Sequence, residues 1–581
     1  MNRIQPGQGW RVAIALACWS LGLPAAAEPL RLSVEVNDPA LRTNIEDSLS
    51  VRAALANDEQ DRDLLLRLHA RAEGEIRRAA QALGYYAPDI RVSLDREQQP
   101  WRASYRVRSG PRTRLDAVEV SIEGPGADNP RLARVLREQQ PRVGEPLHHG
   151  RYEDFKSALQ REANDAGYLD AHYLRRLLRV DPERHLAQIE LRLETGPRYR
   201  FGPIEVEQSV LSTEVVDRYL RLQQGAPFSA QQLIEARFRF ADLGYYASVQ
   251  VSADKAAAED HAIPVRFEMD AVPSQKYRVG VGYGTDTGAR MTLGADFRYL
   301  NDAGHRLSTD FRVSEVKQEL AANYRIPIGT LANEHVGLQA TSLHETVADI
   351  ETRRVGAGVS LTRQPGDWQR RVYLRHEREQ FSGADTGSSK LTMPGVSFDR
   401  TRIDDAVRAR LGWSVFLDVH GAARNVLSDT GFLQARGTAR GVLPVFARSR
   451  VLLRAEAGGT LLEEFSDLPP SQRFFAGGDQ SVRGYGYQSI GPVNADGEVI
   501  GGAFLSTLSA ELETPVHGPW GVAVFIDAGG VDDDPNPALK RGVGAGLRYL
   551  SPVGAIQLDL AHPLDGEQRG VRLHLGIRVG L

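Results

Sequence analysis

Cysteine is almost missing from this chain: one residue in 581, Cys18. It lies in an apolar run near the start, so a chain that loses this run has no disulfide, no thiol nucleophile and no cysteine-based metal site. Charge of one sign is also missing. A formal net charge of −4 argues against a nucleic-acid footprint and against a polyacidic tail, and no nucleic acid is expected as a partner. Beyond the first residues no apolar run approaches the ~20 residues of a membrane-spanning helix, and the mean hydropathy of −0.35 is usual for a soluble protein. The motifs of common catalytic sites are absent as well: no Gly-x-Ser-x-Gly elbow, no Gly-x-x-x-x-Gly-Lys phosphate loop, no His-Glu-x-x-His. The chain is therefore not expected to be an enzyme or to hold a cofactor. His148-His149 and Asp532-Asp533-Asp534 come nearest to metal ligands, but an isolated pair and an acidic loop read as solvated surface, and no metal is expected.

What is present begins with a leader. Arg3 and Arg11 precede an apolar run from Val12, followed by Ala25-Ala26-Ala27, which is the layout of a secretory signal peptide over residues 1–27. The rival is a lipoprotein signal with Cys18 as the lipidated residue; Ala15 in place of leucine and a short preceding run count against it. An exported chain without an apolar helix is either free in an extracytoplasmic space or membrane-embedded as a barrel.

Residues 28–272 repeat three times. "QALGYYAPDIRV" around Gly84, "NDAGYLDAHYL" around Gly167 and "ADLGYYASVQV" around Gly244 resemble one another, at a spacing that suits a small domain. Each Gly-Tyr follows an amphipathic helix: Leu65, Leu68, Ala72, Ile76, Ala79 and Leu83 in the first, Tyr152, Phe155, Leu159 and Ala163 in the second, Leu233, Ala236 and Phe240 in the third. The glycines read as C-terminal caps. Each unit ends in strand alternation, as in Ile189, Leu191, Leu193 and in Ile263, Val265, Phe267. A second echo, "GPRTRLDAVEV" from Gly110 and "GPRYRFGPIEV" from Gly196, opens the next unit. Mixed helix and sheet modules over 28–112, 113–197 and 198–272 are expected.

From residue 273 the period changes to two. Tyr277, Val279, Val281 and Tyr283 alternate with Arg278, Gly280, Gly282 and Gly284; Val571, Leu573, Leu575, Ile577, Val579 and Leu581 alternate with Arg572, His574, Gly576, Arg578 and Gly580. One face is apolar and the other too charged for a dry core. A soluble sandwich can show the same in any one strand, but here the segments are long and many, and aromatics fall near strand ends. The roughly 309 residues from 273 to 581 accommodate about sixteen strands of spanning length. The expected fold is α+β repeats followed by a transmembrane antiparallel β-barrel, which must close because lipid cannot satisfy an open edge. A wet interior explains the low hydropathy.

Between strands near 451–457 and 504–512 lies "GGDQSVRGYGYQSIGP", Gly477–Pro492. A loop this long within a compact domain is usually functional or disordered. On the following strand Trp520, Val522, Val524 and Ile526 share the lipid-facing parity, which turns Ala523, Phe525 and Asp527 inward. Arg483 can then meet Asp527 with its planar fork, with Tyr485 and Tyr487 filling space. A solvated Arg483 on an external loop fits the spacing equally well.

"SVRGYGYQSIGP", with "RFFAGG" before it, "FIDAGG" after it and "GVGAGLRYLSPVGAIQLDLAHP" near the C-terminus, resembles the signature of the BamA/TamA superfamily of outer-membrane assembly factors. The resemblance covers nearly the whole mature chain. It implies periplasmic POTRA domains, a sixteen-stranded barrel in the Gram-negative outer membrane, and a lumen loop whose Val482-Arg483-Gly484-Tyr485 motif sits against Asp527, with Gly529 on the same strand. Three units and this length resemble the TamA branch, since BamA-type members are expected to carry five and two-partner secretion transporters two. That branch implies a TamB-like partner anchored in the inner membrane, unfolded outer-membrane clients such as autotransporters, and a lipid environment. The family's closing signal wants two aromatics; here His574, Gly576, Val579 and Leu581 keep the spacing without them.

Such a protein needs no catalytic group if it works through a strand edge. Gly280, Gly282 and Gly284 take successive inward positions of the first barrel strand, where glycine removes cross-strand contacts and raises the cost of ordering. A weak seam is expected between Tyr277–Gly284 and Val571–Leu581, a lateral gate including Gly576 through which client strands add by β-augmentation. Curvature or tight lumen packing is the alternative use of the glycines. A secretion pore exporting one dedicated passenger is the alternative function.

Overall fold

The computed structural model describes residues 30–56, 61–284, 288–347, 350–446, 448–462, 464–552, 554–566 and 570–578. The expected leader and Val579, Gly580 and Leu581 lie outside them. Two compact units divide the chain: residues up to Gly202 with 225–231 and 256–263, and residues 203–224, 232–255 and 264–581.

Each repeat is a three-stranded sheet covered by helices. The first consists of β1 (Leu30–Glu35), α1 (Pro39–Ser48), α2 (Ser50–Ala56), α3 (Arg62–Ala82), β2 (Asp89–Asp95) and β3 (Trp101–Arg108), in strand order β1-β3-β2. Asp38 starts α1 by accepting the backbone N–H groups of Ala40 and Leu41, and Asp61 starts α3 in the same way. The helical stripe read from the sequence is the buried face: Leu65, Ala72, Ile76 and Ala79 pack with Leu41, Ile45, Ala103 and Tyr105. The second repeat has β4 (Arg114–Glu123), α4 (Pro130–Gln139), α5 (His149–Asp165), β5 (His172–Asp181) and β6 (Leu186–Glu194), ordered β4-β6-β5. The third has β7 (Arg200–Glu207), α6 (Thr213–Leu220), α7 (Ala230–Asp242), β8 (Tyr246–Ala253) and β9 (Ala262–Ala271), ordered β7-β9-β8. Gly84, Gly167 and Gly244 follow their helices with φ of 88°, 95° and 68°, the left-handed conformation in which a Cβ is penalised.

From Gln275 onward sixteen strands form one antiparallel sheet in which every strand pairs with its sequence neighbours. This meander is the cheapest way to order so many strands, because each hairpin is local. Outward residues are apolar and exposed to the lipid: Tyr277, Val279 and Val281 on the first strand, and Trp520, Val522, Val524 and Ile526 on the thirteenth. Trp368, Trp413, Trp520 and Tyr549 collect at the repeat-side ends of their strands, with Trp520 and Tyr549 ring to ring at 5.0 Å, as an interfacial girdle requires. Inward residues carry the charge.

Candidate functional site: the lumen loop and the seam

The eleventh strand (Arg450–Leu462) and the twelfth (Phe504–His517) are joined by the loop that carries the arginine motif. Arg483 is 4 % exposed and Asp527, on the thirteenth strand (Trp520–Asp532), is fully buried. Arg483 Nε donates to Asp527 Oδ2 at 2.7 Å and Nη2 to Oδ1 at 3.0 Å, the two parallel bonds of a fork on a carboxylate. The Arg483 backbone N–H adds a third bond to Oδ2 at 3.1 Å. Nη1 serves two further carboxylates, Glu511 at 2.8 Å and Asp559 at 2.9 Å, while the guanidinium carbon lies 3.3 Å from the ring centre of Phe525.

The neighbouring motif residues are fixed by shape. Val482 is buried with Phe474, Ala476, Tyr485, Ile490, Leu505 and Val531. A Cβ at Gly529 would come within 2.7 Å of its side chain, so the strand must carry glycine there. Gly484 has φ 98° and would drive a Cβ to 3.0 Å from Pro563 N. Tyr485 is buried, and its hydroxyl donates to Asp565 O at 2.7 Å, with Arg541 O 3.1 Å away, and accepts the Asp565 N–H at 3.2 Å. Tyr487 lies outside this cluster and lines a cavity with Gly280, Gly282 and Arg290. It is 40 % exposed, because the turn after Tyr485 carries it away from the packed cluster.

Sequence reading missed most of the charge network. Arg548 is fully buried and bridges Glu511 (2.8 Å) and Asp559, and Arg578 on the last strand reaches Glu511 at 3.2 Å. Three guanidiniums thus face Glu511, Asp527 and Asp559, a balance that removes the cost of burying unpaired charge. Strand parity marks Glu511, Arg548 and Asp559 as inward; which of them meet depends on the stagger of strands, which has no local signal. Arg473, within "RFFAGG", was also missed. It donates to Leu468 O (2.7 Å) and Ile500 O (3.2 Å) and pairs with Asp385, tying the other half of the loop to the turn after the seventh strand. Gln472 and Ser471 beside it bond His420, Gln434 and Glu379. The loop is therefore pinned to opposite stretches of the barrel wall.

The histidine pair and the acidic run have structural partners. His149 Nε2 is 2.6 Å from the Tyr86 hydroxyl, and His148 Nδ1 accepts the Arg151 N–H at the start of α5. Burial keeps both imidazoles below the ordinary histidine pKa. Asp533 accepts the Ala503 N–H at 3.2 Å.

The first strand (Gln275–Gly284) and the last (Arg572–Arg578) end the sheet order. They lie side by side, with Cα atoms within 8 Å, yet among the described residues no hydrogen-bonded register joins them. Among the described residues the expected closure is thus not made by a ladder. Among the described residues the last strand pairs with the fifteenth (Gly554–Pro563), and its inward residues are held from within: His574 Nε2 accepts the Gly484 N–H at 3.3 Å and Arg578 pairs with Glu511. Among the described residues a Cβ at Gly280 would meet nothing nearer than Thr292 Cβ at 3.8 Å, and one at Gly576 nothing within 4 Å; at Gly282 the three nearest atoms belong to the flexible Arg290 side chain. Backbone crowding therefore does not account for these glycines.

The Omp85 superfamily domain model matches residues 275–580, over half of the sequence. The chain belongs to the Omp85 superfamily. Two further matches lie in the repeats of this Omp85 chain: a model for POTRA domain TamA domain 1 over residues 31–109, and a POTRA model described as a surface antigen variable number repeat over 199–270. Among curated relatives, the outer membrane protein assembly factor BamA of Neisseria meningitidis serogroup B is 23% identical, with 82% of this chain and 67% of that protein covered. The BamA of Nitratidesulfovibrio vulgaris is 21% identical, with 83% and 64% covered. This chain thus spans about two thirds of the length of each. The crystal structure of BamA from Haemophilus ducreyi lacking POTRA domains 1–3 shares the fold, with a TM-score of 0.63 at 18% identity over 80% of this chain and 98% of that one.

Proposed function

We propose that this Omp85 protein is an outer-membrane protein assembly factor that inserts client β-strands at the seam between its first and last barrel strands. The observation that carries this reading is the unzipped seam: two neighbouring strands with no register between them among the described residues. Unpaired N–H and C=O groups along such an edge are costly in lipid and available to an incoming strand. Tyr277, Gly280, Gly282 and Gly284 on one lip and Gly576 on the other are the gate residues of this proposal; the sixth expected from the sequence, Leu581, lies outside the described residues. Glycines there keep the seam poorly ordered, since each lacks the side-chain pair that stabilises a ladder. The motif residues Val482, Arg483, Gly484 and Tyr485, with Asp527 and Gly529, hold the lumen loop while the seam works.

The barrel sits in the outer membrane with its POTRA domains in the periplasm. Three repeats before the barrel and the TamA-type match of the first support a TamA-like role. Such a role brings a TamB-like partner anchored in the inner membrane and clients that include autotransporters. Its test is a pair of cysteines, one in each seam strand. Oxidation blocks insertion of a model client barrel into vesicles and reduction restores it; insertion at full rate through an oxidised seam refutes the proposal. Photocrosslinkers at the outward Val279 and at the inward Gly280 add a second reading, since capture of client strands at Val279 supports insertion, whereas capture of an unfolded passenger at Gly280 alone means secretion.

A further inference from the structure

The two sequence echoes of the repeats are halves of one joint. At the end of α3, the Leu83 carbonyl accepts Arg112 Nε at 2.7 Å, and that guanidinium lies over the Tyr85 ring at 5.5 Å. At the end of α5, the Ala166 carbonyl accepts Arg198 Nε at 2.9 Å, and that guanidinium lies over the Tyr168 ring at 5.7 Å. In both, a Gly-Pro-Arg segment opening the next repeat supplies a cation to the carbonyl end of the preceding helix, where the helix dipole favours it, and stacks it on the tyrosine that follows the capping glycine. Gly110 and Gly196, which begin these segments, have φ of 69° and 66°.

No repeat follows the third, yet the same joint is present at the end of α7. The Leu243 carbonyl accepts Arg306 Nη2, and the Arg306 guanidinium lies over the Tyr245 ring at 4.1 Å. Arg306 opens the third barrel strand. It stands in Gly304-His305-Arg306, with Gly304 at φ 75°, so the spacing of glycine and arginine is that of the other two. The Tyr245 hydroxyl donates to Gly304 O, and the Ser212 N–H donates to Asp302 O at 2.8 Å. We infer that the first periplasmic turn of the barrel, residues 298–306, docks onto the third repeat as the opening segment of a further repeat would, with Arg306 and Tyr245 as the positioning residues.

At its capping glycine this joint is looser than the other two. Gly84 and Gly167 press on the next segment, where a Cβ would come within 2.5 Å of Leu147 O and 2.8 Å of Tyr199 O, and their carbonyls accept Thr113 and Tyr199 N–H groups. A Cβ at Gly244 would meet nothing within 4 Å. At the glycine itself the end of α7 is therefore held by Arg306 rather than by backbone contact, with the Tyr245–Gly304, Ser212–Asp302 and Arg221–Thr330 bonds beside it.

The test uses the full chain in lipid, spin-labelled at Asp217→Cys on α6 and Ala332→Cys on the second periplasmic turn. The unmodified joint gives one narrow distance. Arg306→Ala replaces it with a broad distribution while the barrel stays folded, Arg306→Lys recovers part of the narrow peak, and Tyr245→Phe broadens it less than Arg306→Ala. In a second labelled pair across the first joint, Arg112→Ala causes a smaller broadening. A narrow distance that survives Arg306→Ala overturns the inference, as does a lysine variant no better than alanine. That the joint positions the third repeat for strand delivery rests on the proposed function; client insertion assayed on the same variants separates the two, because the distance reads the joint whether or not insertion is the activity.

Discussion

Replacing Arg483 with alanine should release the lumen loop without unfolding the barrel. Asp527 has no exposed surface, and its oxygens are filled by Arg483 Nε, Nη2 and backbone N–H together with Ser509 Oγ at 2.6 Å. After the substitution only the hydroxyl and the backbone N–H remain, neither of them charged. Glu511 and Asp559 fare better because Arg548 still bridges them, so the penalty concentrates on Asp527. Breaking a buried pair in this way costs about 3–5 kcal/mol, or roughly two to three and a half powers of ten in the docking equilibrium. The loop's own bridging amides report it: Ala476 and Ile490 each donate to the other's carbonyl, and their hydrogen exchange should accelerate by that order. Asp527→Asn leaves Arg483 paired with Glu511 and Asp559 and should cost less, about 1–3 kcal/mol. The double variant should cost clearly less than the sum, with a coupling of about 1–3 kcal/mol. Unchanged protection of these amides in a folded Arg483→Ala barrel, or strict additivity of the two changes, would refute the reasoning.

Arg473→Ala should free the other half of the loop, raising exchange across 465–475 while 482–485 stays protected; simultaneous release of both halves would mean that the loop docks as one body. Gly280→Thr fills open space opposite Thr292 and adds about 1 kcal/mol of strand preference, so amide exchange over 275–284 should slow, and faster exchange would count against a weak seam. The Tyr85 hydroxyl, at 2.7 Å, and the Leu41 and Ala40 N–H groups hold the Asp38 carboxyl below its ordinary value of 3.8, against a smaller upward push from burial. A lowered native pKa stabilises the fold above the unfolded value and is lost as pH falls through the native one. Exchange of α1 amides should therefore rise only below about pH 4, and Asp38→Ala should produce about 1 kcal/mol of the same loosening at neutral pH.

Much of this architecture was legible because it rests on periodicity. The stripe from Leu65 to Ala79 is the buried face of α3, and the alternation around Trp520–Ile526 sorts lipid from lumen because a strand has two faces and water fills only one side. Local chemistry was legible too: glycine after each helix follows from the need for a left-handed residue. The long-range meetings were not. Glu511, Arg548, Asp559 and Arg578 come from four strands whose relative stagger sets their heights in the lumen, and no window of sequence encodes that offset. Gly304-His305-Arg306 escaped notice for another reason. Its resemblance to the Gly-Pro-Arg segments is two residues deep, and only the shared position over a tyrosine ring makes it meaningful.

The two lips of the seam are mounted on separate foundations. The first hairpin is moored to the end of the third repeat, where the Arg298 N–H donates to Ser274 O and the Tyr299 hydroxyl to Val272 O, whereas the last strand hangs from the strongbox of charges around Glu511. With no backbone bond between the two posts among the described residues, the proposed doorway would widen by a small tilt of either foundation.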